Sequence, residues 1–102
     1  MNQINLLKDR HNYQHELKSW VGLFDPIYKG EKTHELRVLD RDYKIGDICL
    51  LREYNPIEKT YTGRECMVEI TYITSSQHQE CAFSPFALHS ATGILSIKKL
   101  ET

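Results

Sequence analysis

The chain has 102 residues, enough for one domain with a single modest core and too few for two. Its 40% apolar and 26% charged content is ordinary globular composition and excludes a disordered, collagen-like or coiled-coil chain. A formal net charge of −1 excludes a protein that coats nucleic acid through bulk positive charge. The charge is unevenly spread, because Lys29, Lys32, Arg37, Arg41, Lys44 and Arg52 lend the span 29–52 a basic character while Glu53, Glu58, Glu65, Glu69 and Glu80 lean the later region acidic.

Residues 1–12 carry Ile4, Leu6 and Leu7 ahead of Lys8, Asp9, Arg10 and His11, and read as an N-terminal arm or short helix before a single domain over 13–102. From 13 to 20, Tyr13, His15, Leu17 and Ser19 alternate with Gln14, Glu16, Lys18 and Trp20, which predicts a first strand. Leu23, Phe24, Ile27 and Tyr28 then share one helical face and predict a short helix ending at Gly30, which suits the left-handed closing position. Pro26 is tolerated only in a first turn. The helix therefore either begins near Gly22 or is capped by Asp25, with Pro26 as its first helical residue.

Next comes a charged octet, Gly30, Glu31, Lys32, Thr33, His34, Glu35, Leu36 and Arg37. If extended, it points Thr33, Glu35 and Arg37 to one face and His34, Leu36 and Val38 to the other, a polar stripe beside a lysine. Asp40, Arg41 and Asp42 form a polar turn, and Ile45, Gly46 and Asp47 lead into a buried strand of Ile48, Cys49, Leu50 and Leu51. Residues 55–63 have the turn chemistry of a hairpin connection, and 67–74 alternate as the next strand. The Ser-, Gln- and His-rich stretch 75–91 is long for a structureless loop, so a helical turn is expected at 86–89. Ile94, Leu95, Ser96 and Ile97 close the chain as a strand. The sum is a mixed α+β, mainly β fold, a small β-barrel of about five to six strands with one or two short helices.

His15, Glu16, Leu17 and Lys18, the octet from Gly30 to Arg37, then Gly46 with Asp47, and Tyr61, Thr62 and Gly63 occur here in an order that resembles ASCH domains of the PUA-like superfamily. The likeness is greatest to the small ASCH-like proteins of bacteria and phages, and it covers about 13–74. The resemblance implies a PUA-like barrel with a cleft between helix and sheet, and binding of RNA or a modified nucleoside. Some ASCH relatives are amidohydrolases acting on acetylated cytidine through a lysine, a threonine and a glutamate, and others are ribonucleases. Lys32 falls on that lysine. The threonine position three residues later holds Glu35, so the amidohydrolase set is not intact.

The leading expectation is a binding module whose cleft is lined by Lys32, Thr33, Arg37, Arg41 and Lys44, with Trp20 and Tyr61 as aromatic walls. Basic side chains contact phosphates, and aromatic rings stack on unpaired bases. The alternative is a small hydrolase with Lys32 central and Glu35 as its acid or base. A third is a phage-type protein that binds a host protein. No cofactor and no metal are expected. His78 and Cys81 stand three apart, but a structural zinc site needs two such pairs. Cys49 sits among apolar residues and reads as packing. Three unevenly spaced cysteines and no charged-then-apolar leader point to the cytoplasm, and no apolar run approaches the roughly 20 residues that cross a bilayer.

Overall fold

The computed structural model describes residues 12–76, 89 and 91–100. All of the expected arm except Asn12, and all of the expected helical turn except His89, lie outside the described residues. Five strands are found among them: β1 (His15–Trp20), β2 (His34–Val38), β3 (Ile48–Asn55), β4 (Thr60–Thr74) and β5 (Thr92–Lys99), with one helix, α1 (Phe24–Tyr28), between β1 and β2. They form one sheet in the order β1-β3-β4-β5-β2, with β1 parallel to β3 and every other pair antiparallel. The expected mainly β domain with a short helix is the architecture found.

Strand periodicity sets the core. On β1, His15, Leu17 and Ser19 are buried while Glu16, Lys18 and Trp20 are exposed. The parallel register places Cys49, Leu51 and Glu53 of β3 beside those three inward residues. Cys66, Val68, Ile70 and Ile73 of β4 and Leu95 and Ile97 of β5 extend the same apolar face, and α1 adds Phe24 and Ile27. Each such side chain gains about 1.5–3 kcal/mol on full burial.

A five-residue helix is too short to stand alone, so its surroundings hold it. Phe24 and Ile27, three apart, reach the core. So short a helix turns only this pair inward, and Leu23 and Tyr28, expected on the same face, flank it and are exposed. Pro26 lies in the first turn, as a start near Gly22 requires. Asp25 is not a cap: its carboxylate meets Arg64 and Lys29, each at 2.9 Å. Gly30 closes the helix at φ +79°, donating from its N–H to Ile27 O at 3.0 Å while Glu31 N–H donates to Pro26 O at 2.8 Å, the paired bonds of a Schellman ending.

β4 begins earlier than its turn-like residues suggest. The hairpin turn is only 56–59, with Asn55 Oδ1 accepting from the N–H groups of Ile57 and Glu58 at 3.0 and 3.1 Å. Residues 60–63 belong to the strand. Thr62, Gly63 and Arg64 lie opposite the single residue Glu53, because Arg52 pairs with Glu65 and Tyr54 with Tyr61. The glycine there, at φ +97°, serves a bulge rather than a turn. A second irregularity at Thr71 lets β4 leave β3 and continue along β5.

Bulges bend sheets, and this sheet is bent strongly. Laid flat, the outer strands of a five-stranded sheet are about 19 Å apart. Yet Arg37 of β2 donates from Nη2 to the carbonyl oxygen of Lys18 in β1 at 2.6 Å. The two edge strands therefore face each other across a narrow seam, and the sheet is a half-barrel.

Candidate functional site

The seam is built from β2 turned inside out. Leu36 and Val38 are each 60% exposed, whereas Glu35, just ahead of them on the strand, is 8% exposed, the reverse of an ordinary amphipathic strand. Glu35 pairs in register with Leu95, which is fully buried, so its carboxylate enters the core face from the sheet edge. Burying a carboxylate without a partner is costly, and Arg37 supplies one. Its Nε and Nη2 both reach Glu35 Oε2, at 3.0 and 2.8 Å. The same guanidinium then spans to Lys18 O.

That strut divides the seam into two cavities. One, of about 170 Å³, is lined by Lys18, Ser19, Trp20, Leu23, Glu35, Leu36 and Arg37. The other, of about 320 Å³, is lined by Glu16, Leu17, Lys18, Arg37, Arg41 and Tyr61. Arg37 and Lys18 belong to both. Beside the larger cavity, the outer face of β1, β3 and β4 carries interleaved rings and cations. Lys18 Nζ sits 4.3 Å from the Tyr54 ring centre, Arg52 lies 3.9 Å from that of Tyr61, and the two tyrosine rings meet edge to face at 5.1 Å. Arg52 also bridges Glu16 and Glu65, each at 3.0 Å, so its ring contact is held in place from two sides.

Polar groups continue inward from the seam. Ser19 is paired in register with Glu53, and both are buried. Glu53 Oε1 accepts from Thr62 Oγ1 at 2.7 Å and lies 3.8 Å from Arg64 Nε, contacts that the β4 bulge makes possible. Ser19 Oγ has no hydrogen-bond partner among the described residues. Farther along β1, His15 Nε2 lies 2.7 Å from Asp47 Oδ2, and its ring is 4.6 Å from the Tyr43 ring, whose phenol burial pushes upward in pKa. Asp47 also accepts from Lys44 N–H at 3.0 Å, so this group ties the loop before β3 to β1.

The family of proteins described as a domain of unknown function, DUF3850, matches residues 14–97, which reach from just ahead of β1 into β5 and hold both sides of the seam. The chain belongs to the DUF3850 family. It is also 37% identical over 60 residues to an uncharacterized 12.9 kDa protein in the GpA 3' region of Escherichia phage P2. That match covers 59% of this DUF3850 chain and 53% of the phage protein, about half of the relative's length.

Of the residues expected from sequence, the structure brings Trp20, Glu35, Arg37, Arg41 and Tyr61 to the seam. Lys32 lines neither cavity; its backbone N–H is tied to Pro26 O after the helix. Thr33 is spent through its carbonyl, which accepts from Ile97 N–H at 3.0 Å. Lys44 is exposed and pairs with Asp42 at 3.1 Å. These three are close to Arg37 and Arg41 in sequence but do not join them in lining either cavity.

Lys18 and Ser19 line the seam and Arg52 lies over the Tyr61 ring, and none of the three is among the site residues expected from sequence. Lys18 enters the sequence reading as a strand residue and as part of the family likeness, and Ser19 carries one weak signal, a small hydroxyl at an inward-facing strand position. Among the described residues, no three His, Cys, Asp or Glu side chains gather as a ligand set for a metal ion, and His78 and Cys81 lie outside them. Cys49 and Cys66 are buried free thiols, pushed up to about 12 and about 11 by burial, which agrees with a packing role.

Proposed function

We propose that this DUF3850 domain is a PUA-like binding module for single-stranded RNA or a modified nucleoside, with the seam between β1 and β2 as its site. The observation that carries this reading is the larger cavity, where Lys18, Arg37 and Arg41 converge beside Tyr61. Cations next to stackable rings match what an unpaired strand offers, a phosphate backbone and exposed base faces. Trp20, 54% exposed at the far end of the same seam, extends the stacking surface. With a net charge of −1, the attraction has to come from a local cluster of cations such as this one rather than from bulk charge.

A hydrolase centred on Lys32 has less support, because Lys32 stands outside both cavities and Glu35 is bound by Arg37. Binding of a short fluorescent single-stranded RNA, followed by anisotropy across salt concentrations, tests the proposal. Each phosphate neutralised contributes a slope of about −0.7 in log K against log salt for single strands. Arg41→Ala removes about one such increment. Absence of any anisotropy change at low salt refutes the reading.

A further inference from the structure

The smaller seam cavity holds a combination the fold does not need. Ser19 is 3% exposed, yet its hydroxyl has no partner among the described residues, and it lines this cavity. A buried hydroxyl left unpaired is destabilising, and an alanine at the same place avoids the penalty. Beside it, Glu35 offers Oε1, since the hydrogen bonds from Arg37 go to Oε2. Arg37, which also lines the cavity, uses Nε and Nη2 in its described bonds and leaves Nη1 as a further donor. Trp20 and Leu23 supply flat and apolar walls. The cavity thus presents an acceptor carboxylate, a hydroxyl, guanidinium donors and an aromatic face in about 170 Å³, room for one heterocycle.

We propose that this cavity is a specificity pocket for a single unpaired guanine base; the inference rests on the reading of the seam as a nucleic-acid site. Guanine presents two neighbouring N–H donors, N1–H and the 2-amino group, on the edge that also bears the O6 acceptor. A carboxylate facing that edge meets donors only. Adenine and cytosine place a bare ring nitrogen beside their amino group, and uracil flanks its one N–H with two carbonyls, so each turns lone pairs toward Glu35. At the other end of the guanine edge, O6 receives the Ser19 hydroxyl or the Arg37 Nη1 donors. Trp20 stacks on the ring, as aromatic side chains do on extruded bases. Glu35 and Arg37 read the edge, and Ser19 completes the set.

Trp20 is the chain's single tryptophan, so its fluorescence reports on this cavity directly. The experiment titrates the full chain with GMP, AMP, CMP and UMP, and then with a guanine-containing single-stranded oligonucleotide and an oligouridylate of equal length. GMP is expected to quench Trp20 with an affinity about tenfold or more above the other three mononucleotides, the size of a good paired base contact. Ser19→Ala is expected to narrow that preference severalfold without lowering the melting temperature, a split that a merely structural serine does not produce.

Glu35→Gln, which replaces one acceptor oxygen by an amide, provides a second arm and is expected to abolish the preference. Equal affinity for all four mononucleotides, or no quenching by any, overturns the pocket. If the oligouridylate still binds with a salt slope in that event, the seam reading survives on its own. If GMP binds selectively while neither oligonucleotide does, the pocket stands and serves a free nucleotide instead.

Discussion

The Glu35–Arg37 pair is the contact whose removal tells most about how the seam is built. Glu35 has a side chain only 10% exposed and Arg37 one 22% exposed, joined at 2.8 Å. Taking away one partner of a fully buried pair costs about 3–5 kcal/mol, chiefly because the remaining charge is stranded. Arg37 retains a fifth of its exposure and its removal opens the seam to water, so Arg37→Ala is expected to cost about 2–4 kcal/mol. For a chain of this size, with a urea slope of about 1 kcal/mol/M, the unfolding midpoint falls by about 2–4 M. Urea unfolding followed by far-ultraviolet circular dichroism measures it. Replacing both residues together, Glu35→Leu with Arg37→Leu, is expected to recover most of the loss, because an apolar pair strands no charge. A single Arg37→Ala change within about 0.5 kcal/mol of the parent, or a double variant as weak as the single, refutes the account of β2 as a strand held inside out by its ion pair.

Other measurements probe the rest of the fold. Asp25 is held below the usual 3.8 first by its bond to Arg64 and then by Lys29, so its contribution to stability is present above pH 3.8 and is lost as pH falls through the lowered value. Carbon-detected titration of the carboxyl is expected to show that low midpoint, and Arg64→Ala to return it toward 3.8. A Cβ at Gly93 would stand 2.6 Å from Leu39 Cδ2, so Gly93→Ala is expected to lose about 1–3 kcal/mol, and Leu39→Ala in the same chain to relieve part of it. In a Cys81→Ser chain, Cys49 and Cys66, pushed up to about 12 and about 11, are expected to resist a thiol reagent at pH 8 until urea unfolds the domain. Rapid labelling of either in the native state contradicts their burial.

Sequence alternation was enough to order the strands and the helix, and the closing role of Gly30 followed from its missing side chain. It was not enough to say which face of β2 meets the core. Leu36 and Val38 are the apolar members of that strand, and hydrophobicity alone turns them inward. The structure buries Glu35 because Arg37 follows it two residues later on the same face and reaches across to β1. That contact spans 19 residues of sequence and depends on how far the sheet curls. For the same reason Trp20, Arg37, Arg41 and Tyr61 converge in space while Lys32, Thr33 and Lys44, nearer one another in the chain, do not. Gly63 misled in the opposite direction, since glycine marks a bulge as readily as a turn.

The pairing register also bears on the order in which the domain assembles. β3 and β4 are joined by a four-residue turn, so their ladder closes with little loop entropy. His15 must find Cys49, 34 positions away, and His34 must find Ser96, 62 positions away. Non-local pairings of this kind close slowly. The central hairpin is therefore expected to form early, and the two outer strands to dock late. Amide hydrogen exchange should then be fastest along β1 and β2, and any molecule that bridges them would act as a fastener on the last and loosest step of folding.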